Sequence, residues 1–279
     1  MNNSPLLAVT LLLLASAGAQ AADPEMEQAA GAFPQERWGV AVGGFAGFAP
    51  AYEGSDEFRF VGYPLIQPKY YGANYDANEP SRVDFRGVDD IRISALRLGG
   101  LDIGVLGGYS FGREEDLSPR LGGLGDVDGG LALGGFVAYR FNPFYVDFAY
   151  HTQVTGDGDT GHTLRFGVGS EHALSERMMV NAYVGGSYAS EDYMDAYFSV
   201  TPAQSAASLA GLPVYDASAG FKDVGIDIGL DYRLTKRVTL QTKAGYARLL
   251  GDAADSPITA SRNQLSGGLG LTYTFGRTE

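Results

Sequence analysis

Three histidines, His151, His162 and His172, are the side chains best suited to chemistry in a chain that has no cysteine. The run Ser170-Glu171-His172 sets a nucleophile, an acid and a base side by side. On a β-strand, however, adjacent residues point to opposite faces, so Ser170 and Glu171 cannot converge on one substrate atom. His172 shares the Ser170 face, which the neighbouring apolar residues mark as the outward one. His151 falls on the polar face of its own segment. These are read as polar residues of a strand and its rim, and no catalytic residue is assigned.

Other chemistry is excluded on similar grounds. Gly125-Asp126-Val127-Asp128-Gly129 and Gly156-Asp157-Gly158-Asp159 resemble calcium loops only in part. Neither continues into the twelve-residue ligand pattern that ends in Glu, so no metal site is assigned. The pairs Gly43-Gly44, Gly107-Gly108 and Gly134-Gly135 open no helix, and are strand glycines rather than phosphate cradles. Nothing calls for a cofactor. The absence of cysteine removes disulfides, thiol catalysis and thiolate metal sites. A net charge of −13 argues against nucleic acid, whose partners are basic.

The elements that carry these residues alternate with period two. Gln264 to Phe275 reads Q-L-S-G-G-L-G-L-T-Y-T-F, with Leu265, Leu269, Leu271, Tyr273 and Phe275 on one face. Lys222 to Leu234 sets Val224, Ile226, Ile228, Leu230 and Tyr232 against Asp223, Asp227, Asp231 and Arg233. Trp38 to Phe48, Phe58 to Tyr71, Leu101 to Phe111, Leu131 to Phe141, Phe144 to Val154, Leu164 to Glu171, Met178 to Ala189 and Arg237 to Leu249 follow suit. Each is near the ~9–11 residues that cross a membrane when tilted. Asp102, Arg140, Asp147, Arg165, Asp227 and Lys243 share the polar face, which in a barrel is the lumen; facing lipid, each would cost several kcal/mol. A soluble sandwich would instead turn that face to water. An apolar strand ending in Tyr-x-Phe, 40 glycines and 32 Tyr plus Phe side by side with no long apolar run favour the barrel.

The connections agree. Counting back from Phe275 as periplasmic, joints alternate between tight (Thr235-Lys236, Leu174 to Glu176, Asn142-Pro143, Gly99-Gly100) and long (Ser190 to Phe221, Gly156 to Gly161, Arg113 to Gly129). Short periplasmic turns and long extracellular loops are the habit of outer-membrane barrels. The same parity requires Ser81 to Leu98 to be two strands meeting near Gly87. The expected fold is all-β, an antiparallel transmembrane β-barrel of about twelve strands, with ten as the alternative. Ser190 to Phe221 is long enough to fold into the lumen, and sequence alone leaves the lumen open or filled.

Residues 1–21 read as a signal peptide: an apolar run from Pro5 to Ala15, then Ala19-Gln20-Ala21 as a cleavage site. Residues 22–36 read as a flexible periplasmic lead-in and 37–279 as the barrel, placed in the cell outer membrane among outer-membrane lipid and lipopolysaccharide.

Several motifs in order resemble the MltA-interacting protein MipA/OmpV family of outer-membrane proteins. They are Pro50-x-Tyr52-x-Gly54-Ser55-Asp56, then Arg59 and Tyr63-Pro64-Leu65; Gly112-Arg113-Glu114-Glu115-Asp116 with Leu121-x-Gly123-Leu124-Gly125-Asp126; Tyr197-Phe198 and Gly211-Leu212-Pro213-x-Tyr215; and Asp255-Ser256-Pro257-Ile258. The resemblance runs from about Trp38 to Phe275. Two departures stand out: Gly276 to Glu279 follow the final aromatic, and Ala210 stands where the family often has Ser. The resemblance implies a non-enzymatic barrel that acts as a scaffold between a murein-degrading lytic transglycosylase and a penicillin-binding protein. A narrow pore for small solutes or antibiotics is the alternative, and a lipid-modifying hydrolase a weaker one. Tyr52, Gly54, Ser55, Arg113, Asp116, Asp126, Leu212, Pro213, Tyr215, Ser256 and Pro257 are the candidate interaction or loop residues. Only the lead-in and Tyr71 to Pro80 offer sizeable periplasmic surface to such partners.

Overall fold

The structure, a computed structural model, describes residues 38–70, 81–156 and 160–276. The targeting segment, the lead-in, Tyr71 to Pro80 and Asp157 to Asp159 lie outside the described residues. Among the described residues, twelve antiparallel strands form one sheet in the order β2-β1-β12-β11-β10-β9-β8-β7-β6-β5-β4-β3. They are β1 (Trp38–Pro50), β2 (Phe58–Tyr70), β3 (Val83–Gly87), β4 (Asp90–Leu98), β5 (Leu101–Ser110), β6 (Gly130–Phe141), β7 (Phe144–Gln153), β8 (His162–Ser175), β9 (Met178–Ala189), β10 (Gly220–Arg233), β11 (Val238–Leu249) and β12 (Asn263–Gly276). First and last strands pair, Gly39 opposite Gly276, and among the described residues the sheet curls into a barrel closed except between β2 and β3. The two strands expected within Ser81 to Leu98 are β3 and β4.

The period-two pattern sorts side chains as a membrane demands. Along β6, Leu131, Leu133, Val137 and Tyr139 face outward while Ala132, Phe136 and Ala138 are buried in the lumen. Aromatic pairs ring both rims, as interfacial girdles do: Trp38 with Tyr70, Phe141 with Phe144 and Tyr273 with Phe275 below, Phe48 with Phe58 and Tyr109 with Phe111 above. The polar-face residues named above turn inward; Asp102 and Asp147 are buried, and Arg165, Asp227 and Lys243 line a cavity.

The extracellular loops carry helices. Ser190 caps α1 (Glu191–Phe198), its Oγ accepting from the Tyr193 amide at 3.4 Å. Thr201 and Gln204 form a reciprocal capping box on α2 (Pro202–Ala207). A short α3 (Gly251–Asp255) precedes β12. The long loop 190–219 packs on the other extracellular loops, and its Tyr193 lines the luminal cavity.

Candidate functional site

Among the described residues, the largest fully buried side chains are in loops and loop ends: Phe198, Leu121, Met194, Leu249, Ile258 and Val200. They form two apolar clusters. One gathers Met194, Tyr197, Phe198, Ala217 and Ala253; the other gathers Tyr52, Leu121, Leu124, Val200, Leu212 and Ile258. Tyr215 packs against both. The chain thus builds a water-excluding core above the membrane, and that core caps the extracellular mouth.

Main-chain acceptors in the cap are met by side chains from other loops. The Tyr52 hydroxyl donates to the Ile258 carbonyl at 3.0 Å, and burial pushes that phenol above its ordinary pKa. Arg113 is 3% exposed and donates Nη1 to the Tyr197 carbonyl at 2.8 Å. Its burial pulls the guanidinium below its usual range. Ser256 Oγ donates to the Phe198 carbonyl at 2.5 Å and Arg120 Nη2 to the Pro257 carbonyl at 2.6 Å. The Tyr215 hydroxyl donates to the Asp252 carbonyl at 3.2 Å. Ser55 is buried and its Oγ accepts from the Glu57 amide at 3.0 Å. Gly54 has φ +98°, and a Cβ there would meet Thr259 Oγ1 at 2.7 Å, so both backbone and space require glycine.

The motif residues singled out in the sequence therefore meet in one place. Tyr52, Gly54, Ser55, Arg113, Leu212, Tyr215, Ser256 and Pro257 knit the cap, while Asp116, Asp126 and Pro213 are on its outer surface. Asp126 is used locally, its Oδ1 accepting from the Glu115 amide at 2.7 Å. All eleven are at the extracellular end.

Beneath the cap is a network that sequence reading missed. Glu53, Lys222 and Tyr193 meet: Lys222 Nζ contacts Glu53 and reaches Asp223 at 2.6 Å, and the Tyr193 hydroxyl donates to Glu53 at 3.0 Å. A register shift between Phe221 and Asp223 lets neighbours Lys222 and Asp223 reach one another. Deeper, the Asp147 carboxylate accepts from Arg86 at 2.6 Å, Arg92 at 2.5 Å and Tyr183 at 2.8 Å. Arg92 is also held bidentately by Asp90 at 2.8 and 2.9 Å. Of this network the sequence pattern had placed only Asp147 on the luminal face; that Arg86 and Arg92 from β3 and β4 would meet it on β7 had no local signal. His151 is buried with Nε2 3.6 Å from Asp90, whereas His172 is exposed on the outer face.

Leu106, Phe136, Ala138 and Ala149 fill the lumen between β5 and β7. The remaining lumen is hollow. A cavity of about 710 Å³ reaches from Tyr193 and Lys222 down to Gln67 and Gln241. A second, of about 310 Å³, continues to the periplasmic rim at Lys69, Glu176, Arg177 and Lys236. Gln67, Met179, Asp231 and Gln241 line both. Among the described residues, the hollow lumen lies beneath the packed extracellular loops and continues to the periplasmic rim.

Residues 42–275 match the family model described as MltA-interacting protein MipA. The chain belongs to the MipA family. It is an outer-membrane β-barrel protein, as girdles, topology and family agree. No curated protein sequence matches it. Among solved structures it is similar to OmpT, an outer membrane protein of Vibrio cholerae, at 9% identity over 85% of this chain and 96% of that one, TM-score 0.35. It is also similar to the Pseudomonas putida toluene transporter TodX, at 11% identity over 87% and 90%, TM-score 0.36.

Proposed function

We propose that this MipA-family barrel works from its periplasmic side, as a non-enzymatic docking platform for a murein-degrading lytic transglycosylase and a penicillin-binding synthase. The family's own description, an MltA-interacting protein, supports the first partner. The observation that carries the reading is the cap: Leu121, Phe198, Val200 and Ile258 are wholly buried above the barrel, which leaves the periplasmic end as the accessible one. Lys69, Glu176, Arg177 and Lys236 give that rim a charged edge for a partner to read. Eight of the eleven motif residues act in this reading by holding the cap, and none of the eleven by touching murein enzymes, which are on the other side of the membrane.

The experiment is capture of the transglycosylase and the synthase, as purified proteins, on immobilised barrel. Retention of both, reduced at least fivefold by Arg177→Glu with Lys236→Glu, is the expected result. No retention in several detergents and in nanodiscs contradicts the proposal. The narrow-pore reading draws on the hollow lumen, and needs the cap to move aside.

A further inference from the structure

The hollow of the lumen belongs to one side of the barrel. Leu106, Phe136 and the Asp147 network fill the side of β4 to β7. Across β9 to β12 the strand register sets the inward residues in level rows. Tyr183, Asp227, Gly245 and Ser266 make the first, Asn181, Gly229, Lys243 and Gly268 the second, and Met179, Asp231, Gln241 and Gly270 the third. At about 3.3 Å per residue the first and third rows are about 13 Å apart. Polar side chains recline on the glycines between them. A Cβ at Gly245 would meet Asp227 Oδ1 at 2.6 Å and Ser266 Oγ at 2.8 Å, and one at Gly229 would overlap the Asn181 amide. The polar groups therefore hug the wall. The cavity of about 710 Å³ in front of them stays open, and it is within the usual size of a small-molecule pocket.

The strong charges around this cavity are already answered. Arg86 pairs with Asp84 and Asp147, Arg92 with Asp90 and Asp147, Arg165 with Asp89, and Lys222 with Glu53 and Asp223. Lys243 donates Nζ to the Arg86 carbonyl at 3.2 Å. Among the described residues, Gln67, Asn181, Asp227, Gln241 and Ser266 line the cavity with side chains that bond nothing in the protein. Thr272 does the same in the lower cavity, although it is only 3% exposed. The three amides and two hydroxyls each donate and accept, and the one carboxylate accepts. Asp227 and Lys243 stand in adjacent rows on adjacent strands. An anion drawn to Lys243 would face Asp227, and a cation drawn to Asp227 would face Lys243. A neutral solute rich in hydroxyls meets no such conflict, because each hydroxyl both donates and accepts.

We infer that the lumen is a saccharide-binding site, entered from the periplasmic end and taking a short neutral chain of pyranose rings along the three rows. Asp227, Asn181 and Gln241, one from each row, are the groups that hold it. The entrance is the lower cavity, which continues the upper one to the periplasmic rim. The inference goes beyond the docking reading. It concerns the wall of the lumen and needs neither murein enzyme, so failure to capture those enzymes leaves it standing.

Equilibrium dialysis of the full-length protein in detergent against chitotriose and maltotriose tests this. Saturable uptake of one trisaccharide per barrel is expected, unchanged as salt is raised because no ion pair forms. Uptake of neither sugar overturns the site, and uptake that falls with salt overturns the neutral ligand. A preference of at least fivefold for chitotriose supports the site with aminosugar strands as its source, and the reverse preference supports it with glucans. Asp227→Ala with Gln241→Ala should weaken binding at least fivefold in protein that keeps its heat-modifiable mobility; unaltered affinity overturns the placement. Ile226→Ala, on the outward face of the strand that carries Asp227, should leave binding unchanged. An equal loss in that variant would mean that the sugar is held elsewhere, and would overturn the luminal site.

Discussion

Ser256 donates its hydroxyl to the main-chain carbonyl of Phe198, 2.5 Å away and buried, across a sequence separation of 58 residues. The same Oγ accepts from the Ile258 amide at 3.2 Å. One side chain thereby satisfies two main-chain groups and pins the loop before β12 to the end of α1. Ser256→Ala leaves both unpaired in a dry site, a loss of about 1–3 kcal/mol. The midpoint of the heat-modifiable gel shift should fall by several degrees, and an unaltered midpoint would mean that water replaces the hydroxyl.

Arg113 plays the corresponding part at the start of the 111–129 loop, where it bonds Tyr197 through Nη1 and pairs its main chain with Val127 at 2.8 Å. Lysine keeps the charge but not the planar fork. Arg113→Lys should expose the cap to protease cleavage within 190–219 while leaving the strands intact; equal cleavage of both proteins would refute this.

Asp147 holds Arg86 and Arg92 together in the lumen. Without it Arg92 keeps Asp90 and Arg86 keeps Asp84, but each guanidinium and the Tyr183 hydroxyl loses a buried acceptor, a loss of about 1–3 kcal/mol. Asp147→Ala should therefore destabilise the barrel more than Asp147→Asn does, read as the urea concentration at which unboiled mobility is lost. Identical unfolding of wild type and Asp147→Ala would remove the network from the account of stability.

The cap has a pH limit. Burial raises the phenols of Tyr52 and Tyr197 above their ordinary 10.0. A folded pKa above the unfolded one gives stability that is complete below pH 10 and is lost as pH climbs through the folded value. Spectrophotometric titration at 295 nm should show these phenols ionising at higher pH than an ordinary phenol and together with cap opening, detected as protease access to loop 190–219. Tyr52→Phe should leave a smaller late component. Ionisation of every tyrosine near 10, with the cap still closed, would contradict the burial.

Some of this was readable from the chain alone and some was not. Alternation put Asp102, Asp147, Asp227 and Lys243 in the lumen because period two is a local property of each strand. Parity of the joints divided Ser81 to Leu98 into β3 and β4 at Gly87, since barrel ends impose an even count. The cap was visible only as motifs. Its cohesion depends on contacts such as Tyr52 with Ile258, 206 residues apart, and no periodicity encodes those. The Lys222–Asp223 pairing was hidden for another reason: a bulge overrides the alternation that placed them on opposite faces. The long loop had room to enter the lumen, but Met194, Tyr197 and Phe198 of α1 give it an apolar surface that packs on other loops instead.

Planar-bilayer recording tests the closed cup most directly. Pure full-length protein is predicted to give no discrete openings, whereas a variant lacking residues 191–217 should conduct through the cavity that the cap had closed. Stepwise openings from the wild-type protein would contradict the account and make the chain an outward passage.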